Sequence, residues 1–296
     1  NNRFGKGINL KKWGAGHLAT ERPFLNMKFI KKLINILVNN QTSFRNFFAI
    51  FLYKLNLIPD EYKGRVNSIY KKQQYEKKFL KFNLKYNDLG FYYLDPIPTK
   101  VFLNKYYEEI YWQSRSDKNY PIRLRDIEHY KLLKKIYPDF DKDSKKVLNF
   151  GAGHGGLSIL LYVANHKIYN FDFGQTNNLF SERWNQVNDL CKIDSKFDLI
   201  YGSHSLEHVQ NIKETMKKFD EISHENTIYF FEVPNCINSK KIAPPHTYYF
   251  TRKFFYNYFE KYDYCETLDN SGIKKNDEGD VIRFLSKSRV KKNLLK

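Results

Sequence analysis

Four of the chain's 14 glycines fall within six residues of one another, in a protein of 296 residues. They lie at 151–156, inside the stretch VLNFGAGHGGLSILL that occupies residues 147–161. Glycine is conformationally costly, and it is favoured where the backbone turns tightly or is closely approached. The apolar residues before the loop predict a short strand, and those after it predict a helix. Backbone N–H groups and the helix N-terminus would then point at one spot, which makes this loop a candidate ligand site.

An acidic residue follows the loop at the spacing that binding of a nucleotide cofactor requires. Residues 151–156 satisfy GxGxxG, and Asp172 comes 21 positions after Gly151 (172 − 151), close to the roughly 20 that are expected. Asp172 lies at the end of the predicted strand HKIYNFDF, where a carboxylate can accept hydrogen bonds from two ribose hydroxyls. A helix-capping role is the structural alternative. The motif alone is weak, so it leaves a nicotinamide-dependent dehydrogenase open.

Histidines and a glutamate after the next predicted strands are candidates for acid–base chemistry. Ser203 ends the strand KFDLIYGS, His204 follows it directly, and Glu207 and His208 come one turn later. His246 lies on the loop after the strand NTIYFFEVP. Ligands bind at the C-terminal ends of parallel strands, and a neutral imidazole suits a general base because its unperturbed pKa is about 6.5. His204 and His246 are therefore the candidate catalytic residues, whereas His208 is expected to fix the loop.

The elements that must position these residues alternate between strand and helix beyond residue 143. The four predicted strands are VLNF, HKIYNFDF, KFDLIYGS and NTIYFFEVP, and helices are predicted at Gly156–Ala164, at Ile212–Ile222 and in TRKFFYNYFEKY. Such alternation predicts a parallel sheet covered by helices. The last two segments, DYCETL and VIRFLSKS, read as strands with no helix between them, so they are expected to form an antiparallel hairpin at the sheet's edge.

The region before the predicted sheet is expected to be mainly helical. Residues 1–25 read as an irregular arm, two amphipathic helices are expected at Met27–Leu57, and residues 61–88 read as a charged helix. The two amphipathic helices are expected to cover the pocket or to form a homodimer contact, because their apolar stripe is too wide to leave in water. Thr99 can cap a following helix, and RLRDIEHYKLLKKIYPDF predicts another helix that stops at Pro138.

Charge and cysteine content bear on the partners and the compartment. Fifty basic and 32 acidic residues give a formal net charge of +18, which can attract nucleic acid, an anionic membrane or phosphorylated small molecules. The lysines are scattered, so nucleic acid is not the favoured partner. No apolar run is long enough to predict an integral membrane segment. Three distant cysteines without a CxxC motif argue against a zinc ribbon or a disulfide framework, so a reducing cytoplasm is the expected compartment.

The ordered motifs of the chain resemble those of class I S-adenosylmethionine-dependent methyltransferases. VLNFGAGHGG resembles their first motif, FDLIYGSHSLEHVQNIKETMKKF their fourth-strand motif, and TIYFFEVPN their fifth strand. HTYYFTRKFFYNYFEKYDY and GDVIRFLSKS resemble the end of small-molecule members from surface-polysaccharide biosynthesis clusters, and YYLDPIPTKVFLNKYYEEIYW is similar to a segment that precedes the domain in those members. The resemblance covers about residues 90–288.

This resemblance implies an α/β fold and a division of the chain. The fold would be a Rossmann-like, doubly wound, mostly parallel sheet with a C-terminal antiparallel hairpin, preceded by a mainly helical N-terminal region. Residues 1–88 would form that helical region, residues 89–142 a linking helical segment on the acceptor side, and residues 143–296 the S-adenosylmethionine-binding domain.

The resemblance also implies the cofactor, S-adenosylmethionine, and no metal is expected. Asp189 is expected to end a short third strand, and the resemblance implies that it binds the adenine amino group. At position 149 the family usually has an acidic residue, and the uncharged Asn149 is expected to hold the amino group of the cofactor less well. The implied cofactor-binding residues are Asn149, Gly151, Ala152, Gly153, Asp172, Phe173, Asp189, Ser203 and His204.

The expected activity is methyl transfer to a hydroxyl of a small anionic acceptor, such as a nucleotide-linked sugar or another surface-polysaccharide precursor. Tyr248 and Tyr249 could stack on such an acceptor, although at least one of them is expected in the core. Glu232 is expected to face the pocket or to pair with a lysine. An RNA or DNA methyltransferase and a non-catalytic partner protein with the same fold are the alternatives.

Overall fold

The N-terminal part of the described chain is helical. The computed structural model describes residues 43–56, 60–111, 122–172, 185–187, 189–236, 242–269, 272–275, 279–287 and 290–291. The predicted N-terminal arm, the first amphipathic helix and Phe173 lie outside these residues. The chain divides into two compact units, Asn1–Ile69 and Tyr70–Lys296. Helix α1 (Ser43–Lys54) lies in the first unit, where helix α2 (Asp60–Phe79) also begins.

The second unit contains a hairpin followed by alternating strands and helices. Its further elements are β1 Asn83–Asn87, β2 Phe91–Asp95, α3 Lys100–Tyr106 with a π-helical turn Tyr107–Tyr111, α4 Leu124–Ile136, β3 Lys146–Phe150, α5 Gly156–Val163, β4 Lys167–Phe171, β5 Asn185–Val187, β6 Phe197–Ser203, α6 Ile212–Glu221, β7 Ser223–Pro234, β8 Tyr248–Phe250, α7 Arg252–Tyr258, β9 Tyr264–Leu268, β10 Lys274–Lys275 and β11 Val281–Ser286. Single turns of 3-10 helix lie at Phe140–Lys142, Leu190–Lys192 and Leu206–His208.

The central sheet confirms the predicted fold class. Its strand order in the described residues is β10-β9-β11-β7-β6-β3-β4-β5. β3 pairs in parallel with β4 on one side and with β6 on the other, and β6 pairs in parallel with β7. β11 runs antiparallel to both β7 and β9. Because the chain order reverses at β3, this architecture places ligands in the crevice beyond the C-terminal ends of β3 and β6.

Helices cover both faces of this sheet because its strands are apolar on both faces. Successive residues of a strand point to opposite faces, and the adjacent Phe230 and Phe231 of β7 accordingly belong to different apolar clusters. Phe231 packs in the cluster that contains Phe219 of α6, and Phe230 packs in the cluster that contains Leu161 of α5. This two-sided burial explains the near-continuous apolar runs of the central strands.

Residues 83–87 form strand β1, so the prediction of one helix over residues 61–88 is wrong at its C-terminal end. β1 pairs with β2, and β2 pairs with β8 from the far end of the chain, in a separate antiparallel sheet. The side chain of Asn87 accepts a hydrogen bond from the Leu89 N–H at 2.9 Å, and Gly90 turns the chain at φ +99°. The mostly polar residues of β1 continue the charged pattern of α2, which is why the sequence did not show where the helix ends.

Two smaller predictions are tested by the same part of the structure. Thr99 caps α3 as predicted, because its hydroxyl oxygen accepts a hydrogen bond from the Phe102 N–H at 3.2 Å. α4 ends at Ile136, just before Pro138, where the helix was predicted to stop.

Within the described ranges, no helix has both the length and the apolar character that crossing a membrane requires.

Candidate active site

The glycine loop between β3 and α5 turns through left-handed backbone. Gly151, Gly153 and Gly155 have φ values of +76°, +55° and +76°, a region that glycine adopts at no steric cost. The N–H groups of Gly151 and Ala152 both donate to the carbonyl of Phe171, at 2.8 and 2.9 Å. The beginning of the loop is therefore fixed to the end of β4.

The loop is closely packed on one side and open on the other. A Cβ on Gly151 would lie 2.4 Å from the Cβ of Ser205, so close packing requires a glycine there. A Cβ on Gly153 would meet no atom within 4 Å, and Gly153 lines a cavity. A ligand can therefore approach the backbone at Gly153.

Asp172 lies directly beside this open side. Its carboxylate accepts a hydrogen bond from the Gly153 N–H at 2.7 Å, and the residue lines the same cavity. The carboxylate is thus held where the sequence predicts contacts with ribose hydroxyls, and that role stays a prediction. The open loop and the fixed carboxylate together fit an adenosine-type cofactor.

The cavity has a volume of about 540 Å³ and joins the glycine loop to the loops that follow β6 and β7. The predicted site residues that line it are Gly151, Ala152, Gly153, Asp172, Ser203, His204 and His246. Three cationic residues that the sequence analysis did not single out also line it: Lys72, Arg123 and Arg125. The structure therefore brings most of the predicted residues together, on the side of the sheet where ligands were expected.

His204 is held between two carboxylates. It adopts left-handed backbone at φ +50° directly after β6. Its Nδ1 lies 3.4 Å from Glu207 Oε1, and its Nε2 lies 3.5 Å from Glu232 Oε1. Burial lowers the pKa of His204, but the contacts with Glu207 and Glu232 outweigh it and raise the pKa to about 9. The imidazole is therefore charged near pH 7, and both of its nitrogens face carboxylates.

Glu232 of β7 is the centre of a buried charge cluster. Its carboxylate accepts hydrogen bonds from Arg283 Nε at 2.7 Å and from His129 Nε2 at 2.8 Å, and His129 Nδ1 lies 2.8 Å from the Tyr201 hydroxyl. Burial raises the pKa of Glu232, but hydrogen bonds with His129 and His204 outweigh it and hold the pKa well below its usual range. Neither expected role of Glu232 is found: it does not line the cavity, and two arginines and two histidines, rather than a lysine, are its charged partners in the described residues.

Glu207, His208 and His246 form a second group at the cavity wall. His208 Nε2 lies 3.7 Å from Glu207 Oε1, and the rings of His208 and His246 are 4.9 Å apart between centroids. Burial lowers the pKa of both His208 and His246. Burial raises the pKa of Glu207, but its electrostatic interaction with the adjacent His208 and the contact with His204 outweigh burial and lower the pKa below its usual value.

Some predicted cofactor residues lie away from the cavity. Asn149 is buried within β3, where its amide nitrogen donates to the hydroxyl of Ser158 at 2.8 Å, and it does not line the cavity. Asp189 does not end a strand, because it lies exposed beyond β5 and its side chain accepts from the Cys191 N–H at 2.9 Å. Asp189 instead caps the 3-10 turn Leu190–Lys192. The sequence pattern did not distinguish this capping position from the end of a strand.

Tyr248 and Tyr249 are both buried in β8, and neither lines the cavity. The Tyr248 hydroxyl donates to the carbonyl of Gln210 at 3.1 Å. The Tyr249 hydroxyl accepts from the Ala243 N–H at 2.9 Å and donates to the carbonyl of His246 at 3.3 Å. Their hydroxyl groups hydrogen-bond the backbone of neighbouring loops. Both rings are therefore core residues, and neither is placed to stack on an acceptor in the cavity.

A family model described as a methyltransferase domain matches residues 123–272, half of the chain. The chain belongs to this methyltransferase family. The match decides between the two enzyme classes that the GxGxxG motif left open. The protein is an S-adenosylmethionine-dependent methyltransferase, and S-adenosylmethionine is its cofactor.

Solved methyltransferase structures are similar to the chain at low sequence identity. A 1,6-didemethyltoxoflavin-N1-methyltransferase from Burkholderia thailandensis is 13% identical, with 70% of this chain and 99% of that one covered and a TM-score of 0.46. A magnesium protoporphyrin IX methyltransferase from Synechocystis is 14% identical. The match covers 63% of this chain and 98% of that one, with a TM-score of 0.43. For a sarcosine dimethylglycine methyltransferase from Galdieria sulphuraria, only 47% of that chain is covered, at 13% identity and a TM-score of 0.31. No curated protein matches the chain.

Proposed function

We propose that the enzyme transfers the methyl group to a hydroxyl of a small anionic acceptor, such as a nucleotide-linked sugar or another precursor of a surface polysaccharide. The observation that carries the proposal is a group of three cationic side chains in the cavity lining, Lys72, Arg123 and Arg125, which we call the cationic wall. Glu76 lies in the same lining and pairs with Lys72 at 3.9 Å, so the two arginines carry most of the argument. These side chains share one cavity with the glycine loop, so an anionic group bound to them would lie within reach of the cofactor site.

The two arginines are positioned by the beginning of helix α4. The Arg123 N–H donates to the side chain of Asp126 at 2.9 Å, which fixes the first turn of the helix. Arg125 Nε lies 3.9 Å from Glu232 Oε1, and about a third of the Arg125 side chain (34%) is exposed. The planar guanidinium group matches the geometry of phosphate and carboxylate oxygens, so the pair suits a phosphorylated acceptor.

The size of the cavity supports a small-molecule acceptor. Its 540 Å³ lies within the range of about 300–1,000 Å³ that is usual for small-molecule and cofactor sites. The cysteines Cys191, Cys236 and Cys265 are all free, which suits the reducing cytoplasm in which nucleotide-linked precursors are made. RNA or DNA as the acceptor is not favoured.

S-adenosylmethionine supplies an activated methyl group, so the chain's own residues mainly bind and orient the acceptor and exclude water. His246 stays our candidate for contact with the acceptor hydroxyl, because it follows β7 and lines the cavity. His204 stays a candidate near the reacting atoms. Its two carboxylate partners suit it to hold positive charge beside the acceptor rather than to accept a proton.

The experiment is methyl transfer from labelled S-adenosylmethionine to a panel of nucleotide sugars, phosphorylated metabolites and their dephosphorylated counterparts. We expect turnover of phosphorylated acceptors only. Arg123→Gln and Arg125→Gln should each raise the acceptor KM by about tenfold or more with an unchanged dissociation constant for the cofactor, because hydrogen bonds to charged groups contribute about 1.5–3 kcal/mol.

Lys131→Gln is the matched control, because Lys131 is an exposed cation on the same helix outside the cavity. It should leave the acceptor KM unchanged. Equal turnover of neutral and phosphorylated acceptors, or an unchanged KM in both arginine variants, would refute the anionic acceptor. Turnover of RNA or DNA with strong salt dependence would instead support the nucleic-acid alternative.

A further inference from the structure

Three side chains at the cavity wall are arranged as a set of metal ligands. Glu207, His208 and His246 each offer one ligand atom, and these three atoms all lie within 4.8 Å of one another. We propose that this group, the Glu207–His208–His246 site, binds one divalent first-row transition-metal ion. The proposal replaces the expectation from the sequence that the protein has no metal site.

The backbone holds the three ligands in place independently of any ion. Glu207 and His208 are neighbours on the 3-10 turn that follows β6, and His246 lies on the loop that follows β7. The N–H of Thr247 donates to the carbonyl of Glu207 at 2.7 Å, which ties the two loops together next to the ligands. The hydroxyl of Tyr249 donates to the carbonyl of His246 at 3.3 Å. The site is therefore largely preformed.

The state of the Glu207 carboxylate is a second, independent observation that points to a cation. Glu207 is 1% exposed, and it lines the cavity. Neither of its oxygens accepts a hydrogen bond of ordinary geometry from the described part of the chain. His204 and His208 lie at ion-pair distances of 3.4 and 3.7 Å from Oε1, but neither contact has the geometry of a hydrogen bond. Buried charges are normally paired and hydrogen-bonded or coordinate a metal.

The donor set selects the type of metal. Two imidazoles and one carboxylate suit Zn²⁺, Fe²⁺, Mn²⁺ or Co²⁺, whereas Mg²⁺ prefers oxygen ligands only. Metal–ligand bonds of about 2.0–2.2 Å require the ligand atoms to approach one another by roughly 1 Å from their widest present separation. Three protein ligands leave coordination positions open, and all three ligand residues line the cavity that also contains the cationic wall. An acceptor oxygen is the natural occupant of such a position.

The test measures metal binding directly, on untagged protein that has been treated with a chelator and dialysed. Calorimetric titrations with ZnCl₂ and MnCl₂ are carried out without cofactor or acceptor, so the result does not depend on the proposed acceptor. We expect one equivalent to bind, and MgCl₂ to bind at least tenfold more weakly. Bound Co²⁺ should give a visible absorption spectrum that reports nitrogen and oxygen ligands.

Two ligand variants and one matched control make the test specific. Glu207→Gln and His246→Gln should each weaken binding of Zn²⁺ at least tenfold, with the fold checked by circular dichroism. His224→Gln should bind like the parent, because His224 is also paired with a carboxylate, Asp198 at 3.1 Å, but lies outside the cavity. If Glu207→Gln does not fold, His246→Gln decides.

Two results would overturn the proposal. The first is a folded parent protein that binds none of these transition metals. The second is parental affinity in the folded ligand variants, which would assign the ion to other residues.

Discussion

Replacement of Gly153 by alanine separates the cofactor contact from the stability of the loop. A Cβ at this position meets no atom within 4 Å, but the backbone has φ +55°. Left-handed backbone costs an L-residue about 1–2 kcal/mol, so the free energy of unfolding should fall by that amount and the protein should still fold. The new methyl group would occupy the open side of the loop. We expect the dissociation constant for S-adenosylmethionine to rise at least tenfold, which corresponds to about 1.4 kcal/mol.

Gly272→Ala is the matched control for this change. Gly272 also has left-handed backbone, with φ +78°, and it lies outside the cavity. A Cβ added there would have a side-chain oxygen of Glu128 as its nearest atom, at 3.7 Å. The variant should lose about the same 1–2 kcal/mol of stability and bind the cofactor like the parent. Gly151→Ala should be much less stable than either, because its Cβ would lie 2.4 Å from that of Ser205.

The assay is calorimetric titration of the folded variants with S-adenosylmethionine, together with urea unfolding of each variant. The comparison of Gly153→Ala with Gly272→Ala removes the contribution of backbone strain, which the two variants share. Parental cofactor affinity in folded Gly153→Ala would refute the assignment of the open side of the loop to the cofactor. An equal loss of affinity in both variants would show that general destabilisation causes it.

Three further predictions concern buried and cavity-lining polar groups. Asp172→Asn should weaken cofactor binding by about 1.5–3 kcal/mol. Asp189→Asn is its control and should not weaken binding, because Asp189 is an exposed carboxylate outside the cavity that also accepts a backbone N–H. Equal dissociation constants of the two variants for the cofactor would contradict this prediction. Asn149→Asp places a carboxyl group at a 3% exposed position and should lower the free energy of unfolding by about 1–3 kcal/mol. This loss of stability should grow above about pH 4, where the carboxyl group ionises in the unfolded chain. A stability difference from the parent that does not change with pH would count against the prediction. Glu232→Gln should destabilise the fold by about 3–5 kcal/mol, because it removes the carboxylate that is hydrogen-bonded to the buried Arg283 and leaves only the more distant Glu128. Glu266→Gln on β9 should cost no more than about 1 kcal/mol, because its ion pair with Lys274 is at the surface. Similar urea midpoints for the two variants would refute the reasoning.

The parallel sheet could be predicted because its signals are local. The apolar runs that form β3, β6 and β7, and the glycine loop between β3 and α5, depend on residues that are close together in the sequence. The hairpin of β1 and β2 could not be predicted in the same way. Strand β1 (NLKYN) is mostly polar and continues the charged pattern of the preceding helix. The other partner of β2 is β8, more than 150 residues later, and no local pattern reports that pairing.

The candidate site was predictable to the extent that its residues follow strand ends. Asp172, His204 and His246 could be found from their places after predicted strands, and all three line the cavity. The partners of these residues could not be found, because they come from other elements. Glu232 meets Arg283 from β11 and His129 from α4, separations of 51 and 103 residues.

Two of the segments that line the cavity, the glycine loop and the turn after β6, pack against each other at Ser205. A Cβ on Gly151 would lie 2.4 Å from Ser205 Cβ, and a Cβ on Gly202 would lie 2.8 Å from Ser205 Oγ. Ser205 is 2% exposed and fills the space left by these two missing side chains. The left-handed backbone of His204 turns the chain so that Ser205 returns beneath the glycine loop while the His204 side chain reaches Glu207 and Glu232. The glycine loop and the turn after β6 are thus packed together through Ser205, which fixes the distance between the glycine loop and His204. Methyl transfer depends chiefly on such positioning.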